Sequence, residues 1–150
     1  MKIFITGYSG FIGHYLTENL SKTYNVVKIN LRGFENYDDI KKKALFESLN
    51  DNDVIINCAA SLRPKNQSDL YINTIFPIFL CDIIKEKKLK VKLIHFSSLN
   101  ILQNKLKDKY TNSKKKSDQV LIKNDVLLIR LPLIIEKDES KIIKQVGQIS

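Results

Sequence analysis

Three of the five glycines in this chain stand at Gly7, Gly10 and Gly13, directly after a short apolar run. The run, Lys2–Thr6, has the length and isoleucine content of a β-strand, and Phe11–Leu20 carries apolar side chains at helical spacing. One glycine allows a sharp turn off a strand, and another allows a helix to pack closely against that strand. The spacing therefore predicts a tight strand–loop–helix unit, which restricts the chain to a small set of α/β folds.

The remainder of the chain alternates between apolar runs of strand length and longer amphipathic segments. The strand candidates are nearly continuous in apolar residues, as expected of strands buried on both faces. They are Lys2–Thr6, Val26–Asn30, Val54–Cys58, Val91–Phe96 and Val126–Leu131, with a weaker candidate at Gly33–Tyr37. The helix candidates are Phe11–Leu20, Asp38–Leu49, Gln67–Lys87 and Tyr110–Lys123. Pro77 lies inside the third helix and should kink or divide it. Strands that alternate with helices predict crossover connections and a parallel sheet.

Composition limits the classes of protein to which this chain can belong. No apolar run approaches the roughly 18 residues of a membrane-spanning helix, and no signal-peptide pattern is present, so we expect a cytoplasmic protein without membrane contact. The formal net charge of +9 allows a nucleic-acid partner, but the lysines are scattered, and we favour solvated lysines over nucleic-acid binding. Cys58 and Cys81 lie in apolar segments and are expected to be free thiols rather than a disulfide or metal ligands.

The glycine-rich loop and the helix after it are suited to bind an anion. A helix N-terminus offers free N–H groups and a partial positive charge, and glycines let backbone amides approach a phosphate without an intervening side chain. A tight turn without any ligand is the alternative. We favour a dinucleotide whose pyrophosphate lies on this loop, which is formed by Gly7, Tyr8, Ser9, Gly10, Phe11, Ile12 and Gly13.

A tyrosine and a lysine four positions apart form a candidate acid–base pair. Tyr110 and Lys114 would lie on one face of a helix. A phenol has a pKa of about 10 in water, and a nearby ammonium should lower the pKa of Tyr110 toward neutrality. We therefore predict that Tyr110 can transfer a proton to or from a hydroxyl or carbonyl group. Because this chain has 25 basic residues, a chance pair without catalytic function is the alternative.

The string Thr-Gly-x-x-Gly-x-x-Gly at positions 6–13 resembles the cofactor loop of short-chain dehydrogenases/reductases, and Gly-Phe-Ile-Gly is typical of their extended branch. That branch includes nucleotide-sugar epimerases, dehydratases and reductases. The resemblance implies a Rossmann-type doubly wound parallel sheet with helices on both faces, and an NAD or NADP cofactor. It also implies that Ser98 donates a hydrogen bond to the reacting oxygen, that Tyr110 is the acid–base group and that Lys114 also binds the nicotinamide ribose.

Further segments resemble this family in order and spacing. Ser97 matches the serine before the catalytic serine, and the segment from Asn57 to Ala60 resembles the Asn-x-Ala-Ala that follows the fourth strand. Asn73 matches an asparagine of the next helix, and Arg130-Leu131-Pro132 resembles the strand that closes over the nicotinamide. The resemblance thus implies cofactor contacts from Cys58, Ala59, Ala60, Asn73, Ser97, Tyr110, Lys114 and Leu131. No metal site is expected.

Two residues after the second strand bear on the choice of cofactor. Alignment with the family places Asn30 where an acid binds the adenosine ribose of NAD, and Arg32 follows it. Asn30 cannot repel a 2′-phosphate and Arg32 can pair with one, so NADP is slightly favoured over NAD. The alternative is that Asn30 hydrogen-bonds the ribose of NAD and that Arg32 is a surface residue.

The resemblance weakens soon after the last strand. We assign residues 1–135 to an NAD(P)-binding domain and residues 136–150 to a truncated start of a C-terminal substrate region. The favoured function is an NAD(P)-dependent epimerase, dehydratase or reductase that acts on a nucleotide sugar. The alternative is a catalytically incomplete NAD(P)-binding module that serves as a sensor or a subunit. The helices Gln67–Lys87 and Tyr110–Lys123 correspond to the surfaces that pair subunits in the family, so a homodimer is a further expectation.

Overall fold

The computed structural model describes residues 1–31, 47–102 and 108–132. The five strands of these residues are β1 (Lys2–Thr6), β2 (Asn25–Ile29), β3 (Val54–Asn57), β4 (Lys92–Ser98) and β5 (Val126–Leu131). They form one sheet in the order β2-β1-β3-β4-β5, and each pair of neighbouring strands is parallel. The predicted α/β fold with a doubly wound parallel sheet is therefore confirmed.

The bounds of the strands differ slightly from those predicted. β3 ends at Asn57, one residue early, and β4 continues to Ser98, two residues beyond the end of the apolar run. The predicted strand excludes Ser97 and Ser98, although β5 continues to pair with β4 as far as Ser98. The predicted helix Asp38–Leu49 lies almost entirely outside the described residues. The weak strand at Gly33–Tyr37 and Arg32 lie wholly outside them.

Helices cover both faces of the sheet. The described helices are α1 (Phe11–Leu20), α2 (Gln67–Glu86) and α3 (Lys109–Leu121), with a 3-10 helix at Leu99–Leu102. Leu16 and Leu20 of α1 pack against Ile3, Ile5 and Ile56 on one face. On the other face, α2 and α3 pack against a larger apolar cluster that includes Phe4, Ile55, Phe76, Phe79, Leu80, Leu93 and Leu121. No helix of the described residues is long and apolar enough to span a membrane.

The helix α2 continues through Pro77 instead of dividing there. Proline has no N–H to donate to the carbonyl of the residue four positions earlier, which in the interior of a helix costs about 3 kcal/mol. Pro77 is itself buried, and its neighbours Phe76, Phe79 and Leu80 are fully buried against the sheet. We attribute the continuity of α2 to this packing, because burial of a large apolar side chain contributes roughly 1.5–3 kcal/mol.

The order of the strands reverses between β1 and β3. The chain passes from β1 through α1 to β2 on one side, whereas β3, β4 and β5 follow one another on the other side. Loops that leave the carboxyl ends of β1 and β3 therefore diverge, and they leave a crevice between them. The glycine-rich loop follows β1 and lines one wall of this crevice. Cys58 and Ala59 follow β3 and line the other wall.

Candidate functional site

Three backbone segments approach one another so closely at the glycine loop that glycine is required at two of its positions. Gly7 has a φ of +64°, and a Cβ atom at this position would lie 2.6 Å from the Ala59 nitrogen. A Cβ atom at Gly13 would lie 2.2 Å from the Gly7 carbonyl oxygen. Both distances are far shorter than a real contact, so only glycine allows β1, α1 and the loop after β3 to meet here.

Gly10 differs from its two neighbours in the motif. Among the described residues, a Cβ atom there would meet only the Gly7 oxygen, at an ordinary 3.4 Å, and the backbone has a φ of −82°. Gly10 is exposed and caps the start of α1 without a side-chain hydrogen bond to the amides of the first turn. The packing of the protein does not require a glycine at this position, whereas a ligand that lies on the loop would require one.

A cleft of about 490 Å³ opens over the glycine loop at the point where the strand order reverses. Eight of the predicted cofactor residues line it, together with Ile29, Leu31 and Ile72; the eight are Gly7, Tyr8, Ser9, Gly10, Asn30, Cys58, Ala59 and Ala60. The predicted contacts that do not line the cleft are Phe11, Ile12, Gly13, Asn73, Ser97, Tyr110, Lys114 and Leu131. The cleft therefore unites the loop of β1 with the ends of β2 and β3.

A row of buried polar side chains crosses the sheet below this cleft. Thr6, Asn57 and His95 are in register on β1, β3 and β4. The Thr6 hydroxyl lies 2.6 Å from the Asn57 Oδ1, which also accepts a hydrogen bond of 3.2 Å from the Ala59 N–H. The Asn57 side chain thus fixes the turn at Ala59 against Gly7.

The hydrogen bonds of this row determine the tautomer of His95. Because the Ala59 N–H can only donate, the Asn57 atom that it contacts must be the amide oxygen. The other atom of the amide is therefore Nδ2, which donates a hydrogen bond of 3.0 Å to His95 Nδ1. His95 then carries its proton on Nε2, which is buried and has no hydrogen-bond partner among the described residues. Burial, and secondarily the charge of Lys114, hold the pKa of His95 well below 6.5, so the ring is neutral.

Asn73 connects the loop after β3 to both long helices. Its side-chain oxygen accepts a hydrogen bond of 2.8 Å from the Ser61 N–H, and its Nδ2 donates to the Ser61 oxygen at 2.8 Å. The second proton of Nδ2 is directed to the Ser113 hydroxyl at 3.0 Å, between Tyr110 and Lys114 on α3. Both amide protons are therefore used within the protein, which favours a positioning role for Asn73 over the predicted cofactor contact.

The two serines at the end of β4 have different surroundings. The Ser98 Oγ accepts a hydrogen bond of 3.2 Å from the Asn100 N–H at the start of the 3-10 helix. The Ser97 Oγ is buried and has no hydrogen-bond partner among the described residues. Ser98 still has its own hydroxyl proton available for donation, as the predicted role requires.

The structure corrects the predicted effect of Lys114 on Tyr110. Burial, and then the negative charges of Asp108 and Asp118, raise the pKa of Tyr110 above 10 instead of lowering it. The Lys114 Nζ donates a hydrogen bond of 2.9 Å to the main-chain oxygen of Phe96, and burial lowers the pKa of Lys114 to about 8. The prediction rests on the spacing of the two side chains alone, whereas Lys114 is only 1% exposed and donates its hydrogen bond to a strand of the sheet.

No group of three or more His, Cys, Asp or Glu side chains in the described part of the chain is placed to hold a metal ion. Cys58 and Cys81 are free thiols, as expected, and burial raises the pKa of the Cys58 thiol to about 12.

Most of the residues that form this site lie within a segment that matches a known protein family. The model of the NAD dependent epimerase/dehydratase family matches residues 3–118, from β1 to the last turn of α3. The chain belongs to this family. The predicted relationship to the extended short-chain dehydrogenases/reductases is thereby confirmed, and the match includes every residue of the proposed site up to Lys114.

Solved structures with the same fold include several reductases and epimerases. A dTDP-4-dehydrorhamnose reductase from Bacillus anthracis, in complex with NADP, has a TM-score of 0.74 and 17% identity, over 99% of this chain and 60% of that one. The same enzyme from Yersinia enterocolitica has a TM-score of 0.67 and 25% identity, over 99% of this chain and 61% of that one. A UDP-glucuronic acid 4-epimerase from Bacillus cereus, in complex with NAD, has a TM-score of 0.66 and 23% identity, over 88% of this chain and 56% of that one.

This family member thus spans 56–61% of the length of these three proteins. No curated protein sequence matches the chain.

Two residues of the site were not identified as functional from the sequence. Asp118 lies one helical turn after Lys114 and receives a hydrogen bond of 3.0 Å from the Nε of Arg130. The sequence assigns Arg130 only to the segment that resembles the strand closing over the nicotinamide. The acidic residue four positions after Lys114 was the available signal, because positions i and i+4 share one face of a helix.

Proposed function

We propose that this chain binds a nicotinamide dinucleotide and carries the catalytic groups of an NAD(P)-dependent epimerase, dehydratase or reductase that acts on a nucleotide sugar. The observation that carries the proposal is the cleft at the reversal of the strand order, with the glycine loop as one wall and Cys58–Ala60 as the other. Membership of the family supports the reaction class, and the reductases and epimerases of similar fold support the substrate class.

The residues of the cleft fit a dinucleotide. Gly10 leaves the backbone amides at the start of α1 open to a pyrophosphate, and the helix dipole favours its negative charge. Asn30 lies at the end of β2, where an adenosine ribose would be bound in such a fold. Ala59 and Ala60 offer a wall with small side chains on the opposite side of the cleft.

The catalytic groups proposed are Tyr110, Lys114 and Ser98. A bound nicotinamide supplies the hydride acceptor or donor. The Tyr110 hydroxyl would hold or release the proton of the reacting hydroxyl or carbonyl, and the Ser98 hydroxyl would donate a hydrogen bond to the same oxygen. Because burial raises the pKa of Tyr110, the phenol is the resting form in this protein, which suits proton donation to a carbonyl.

Calorimetric titration with NADPH, NADP⁺, NADH and NAD⁺ tests the cofactor site directly. Micromolar binding of any of the four is expected, with a slight preference for the phosphorylated pair. The Asn30→Asp variant should shift this preference toward NAD, because a carboxylate repels a 2′-phosphate and accepts hydrogen bonds from the ribose. A folded chain that binds none of the four would reject the proposal.

A second candidate function is a dinucleotide-binding module without catalysis. One observation favours it: Lys114 donates to the Phe96 oxygen, and no described charge lowers the pKa of Tyr110. The two candidates differ in one assay, which is the oxidation or reduction of the bound nucleotide in the presence of nucleotide sugars. Turnover that is lost in Tyr110→Phe, with nucleotide affinity unchanged, supports the enzyme, whereas binding without turnover supports the module.

We further propose that the protein acts in the cytoplasm and that α2 and α3 pair two copies of the chain. The two helices pack side by side on one face of the sheet, and Ile75 and Val120 on them are about two fifths exposed. Light scattering over a range of concentrations should give twice the monomer mass, and a monomer throughout would reject the dimer.

A further inference from the structure

The helix α3 turns a polar face toward the sheet. Its buried residues are Thr111, Ser113, Lys114, Ser117, Asp118 and Leu121, of which only Leu121 is apolar. Lys114 and Asp118 are the two ionisable residues among them, and they are 1% and 3% exposed. They are four positions apart and therefore lie on the same face of the helix, one turn from each other. Buried charges of this kind are seldom found without partners.

Within the described residues, the carboxylate of Asp118 is bound on one oxygen only. The Nε of Arg130, on β5, lies 3.0 Å from the Asp118 Oδ2. The Asp118 Oδ1 is buried and has no hydrogen-bond partner within the described residues. Arg130 therefore holds the carboxylate in place, while the second oxygen can act electrostatically on a cation on the same helix face.

Asp118 is the one anion that acts on Lys114 among the described residues at neutral pH. The two groups that favour its ammonium form are Asp118 and, less strongly, Cys58. The Cys58 thiol is protonated and neutral at pH 7, because burial raises its pKa to about 12. The groups that interact electrostatically with Lys114 are Asp118 on its own helix, Cys58 after β3 and His95 on β4. Through Asp118, Tyr110 on the same helix and Arg130 on β5 also belong to this set.

The charge of Lys114 determines how many hydrogen bonds it can donate. An ammonium has three N–H donors, of which the Phe96 oxygen takes one, so two remain for the neighbouring hydroxyls of a ribose. A neutral amine has one donor fewer and no charge. Burial works against the ammonium form, so an anion at a fixed position is needed to preserve it.

We propose that Asp118, held by Arg130, is a positioning residue that keeps the buried Lys114 amine protonated at neutral pH, the state in which it can donate to the hydroxyls of a ribose. The ribose as ligand rests on the proposed function, whereas the coupling of Asp118 to Lys114 rests on the protein alone. Asp118 is only 3% exposed, so it would act through Lys114 and not by direct contact with a cofactor or substrate.

The coupling is tested by NMR titration of the lysine amines in the chain without nucleotide. With lysine labelled at Cε and Nζ, the Lys114 signal is identified by its loss in Lys114→Met. We expect a pKa of about 8 in the wild type, lower by about one pH unit in Asp118→Asn and largely restored in Asp118→Glu. Asp125→Asn is the matched control, since it removes the same charge from an exposed position between α3 and β5, and it should leave the Lys114 titration unchanged.

A titration of Lys114 that is the same in the wild type and in folded Asp118→Asn overturns the coupling. If Asp118→Asn does not fold, the wild type itself gives the answer. The carboxyl carbon of Asp118 should then show a step in its chemical shift at the pH where Lys114 titrates, and a flat response through pH 8 overturns the coupling equally.

Nucleotide titrations separate this inference from the proposed function. If the pKa of Lys114 falls by about one pH unit, the affinity of Asp118→Asn for the nucleotide should drop about fivefold at pH 8 and by less than about twofold at pH 6. An Asp118-dependent Lys114 titration without nucleotide binding rejects the function and supports the coupling. Nucleotide binding with an Asp118-independent Lys114 titration supports the function and overturns the coupling.

Discussion

The ammonium of Lys114 donates a hydrogen bond of 2.9 Å to the main-chain oxygen of Phe96, which is the first residue of β4 beyond its pairing with β3. β3 ends at Asn57, opposite His95, and the chain then turns into the wall of the cleft. Lys114 therefore lies where the two strands separate, and Cys58, a residue of that wall, is close enough to interact with its charge. This position connects α3 with the proposed dinucleotide site.

Replacement of Gly13 by alanine should destabilise the fold. The new Cβ atom would lie 2.2 Å from the Gly7 oxygen, a backbone atom that cannot move without separating α1 from β1. Overpacking of this kind costs about 1–3 kcal/mol or more. Urea unfolding of Gly13→Ala should show that loss. Stability equal to that of the wild type would mean that the close approach of α1 and the loop is not rigid.

Replacement of Gly10 by alanine should separate nucleotide binding from folding. The Cβ atom has room within the protein, and the cost at a helix N-cap is at most about 1 kcal/mol. The methyl group would, however, point into the space where the pyrophosphate is proposed to lie. We expect a loss of nucleotide affinity of about tenfold or more in calorimetry, with thermal unfolding close to that of the wild type. An unchanged affinity would place the phosphates elsewhere.

Removal of the Asn57 side chain should destabilise the sheet at the cleft. Asn57→Ala leaves the Thr6 hydroxyl, the Ala59 N–H and His95 Nδ1 without their hydrogen bonds to this amide. Each buried polar group left unpaired costs about 1–3 kcal/mol, and partial rearrangement suggests a total of about 2–4 kcal/mol. Asn19→Ala, at an exposed position of α1, is the control and should change the free energy of unfolding by less than about 0.5 kcal/mol.

The neutral His95 should make the protein sensitive to acid. Its pKa is well below 6.5 in the folded state because of burial and then the Lys114 charge. Below pH 6.5 the unfolded chain binds a proton that the folded protein does not, so stability present above pH 6.5 is lost as the pH falls. The free energy of unfolding should decrease by up to about 1.4 kcal/mol per pH unit from this group.

The acid sensitivity should depend on His95 and not on the other histidine. The amide oxygen of His95→Gln can still accept the hydrogen bond from Asn57. Because glutamine does not titrate, this variant should lose the decrease in the free energy of unfolding below pH 6.5. His14, which is exposed on α1, is the control, and His14→Gln should retain the slope. If both variants keep the slope of the wild type, another group is responsible.

The elements that the sequence predicts well are those determined by local spacing. The glycine loop and the strands β1 and β5 appear at their predicted bounds, because apolar runs and glycine spacing act within a few residues. The end of α3 was predicted less well. The helix ends at Leu121 instead of Lys123, and its buried face consists mainly of polar residues, whereas Val120 and Ile122 are 39% and 63% exposed.

The electrostatics of the site could not be predicted from spacing. Tyr110 and Lys114 are on one helix, as the motif requires, but the sign of the pKa change of Tyr110 depends on burial and then on the charges of Asp108 and Asp118. The partner of Asp118 is Arg130, twelve positions later in the sequence. The two residues come together only because β5 pairs with β4, next to α3. Burial and the pairing of strands decide these interactions, and neither is visible in a short motif.

The buried amine of Lys114 should also give the protein a gain in stability at alkaline pH. Its pKa falls from 10.5 to about 8 on folding, mainly because of burial. Between these values the folded protein has released a proton that the unfolded chain retains, so the contribution to stability rises with pH and is lost as the pH falls through about 8. From pH 8 to pH 9 the gain should be about 1 kcal/mol.

The measurement is the difference in the free energy of unfolding between the wild type and Lys114→Met from pH 7 to pH 10. The difference isolates Lys114 from the thiols of Cys58 and Cys81, whose pKa values burial raises to about 12 and about 11 and which act in the opposite sense above pH 9. The advantage of Lys114→Met over the wild type should shrink as the pH rises from 8 to 10. A difference that is constant with pH would show that the amine is solvated, and it would remove the reason for Lys114 to need a fixed anion such as Asp118.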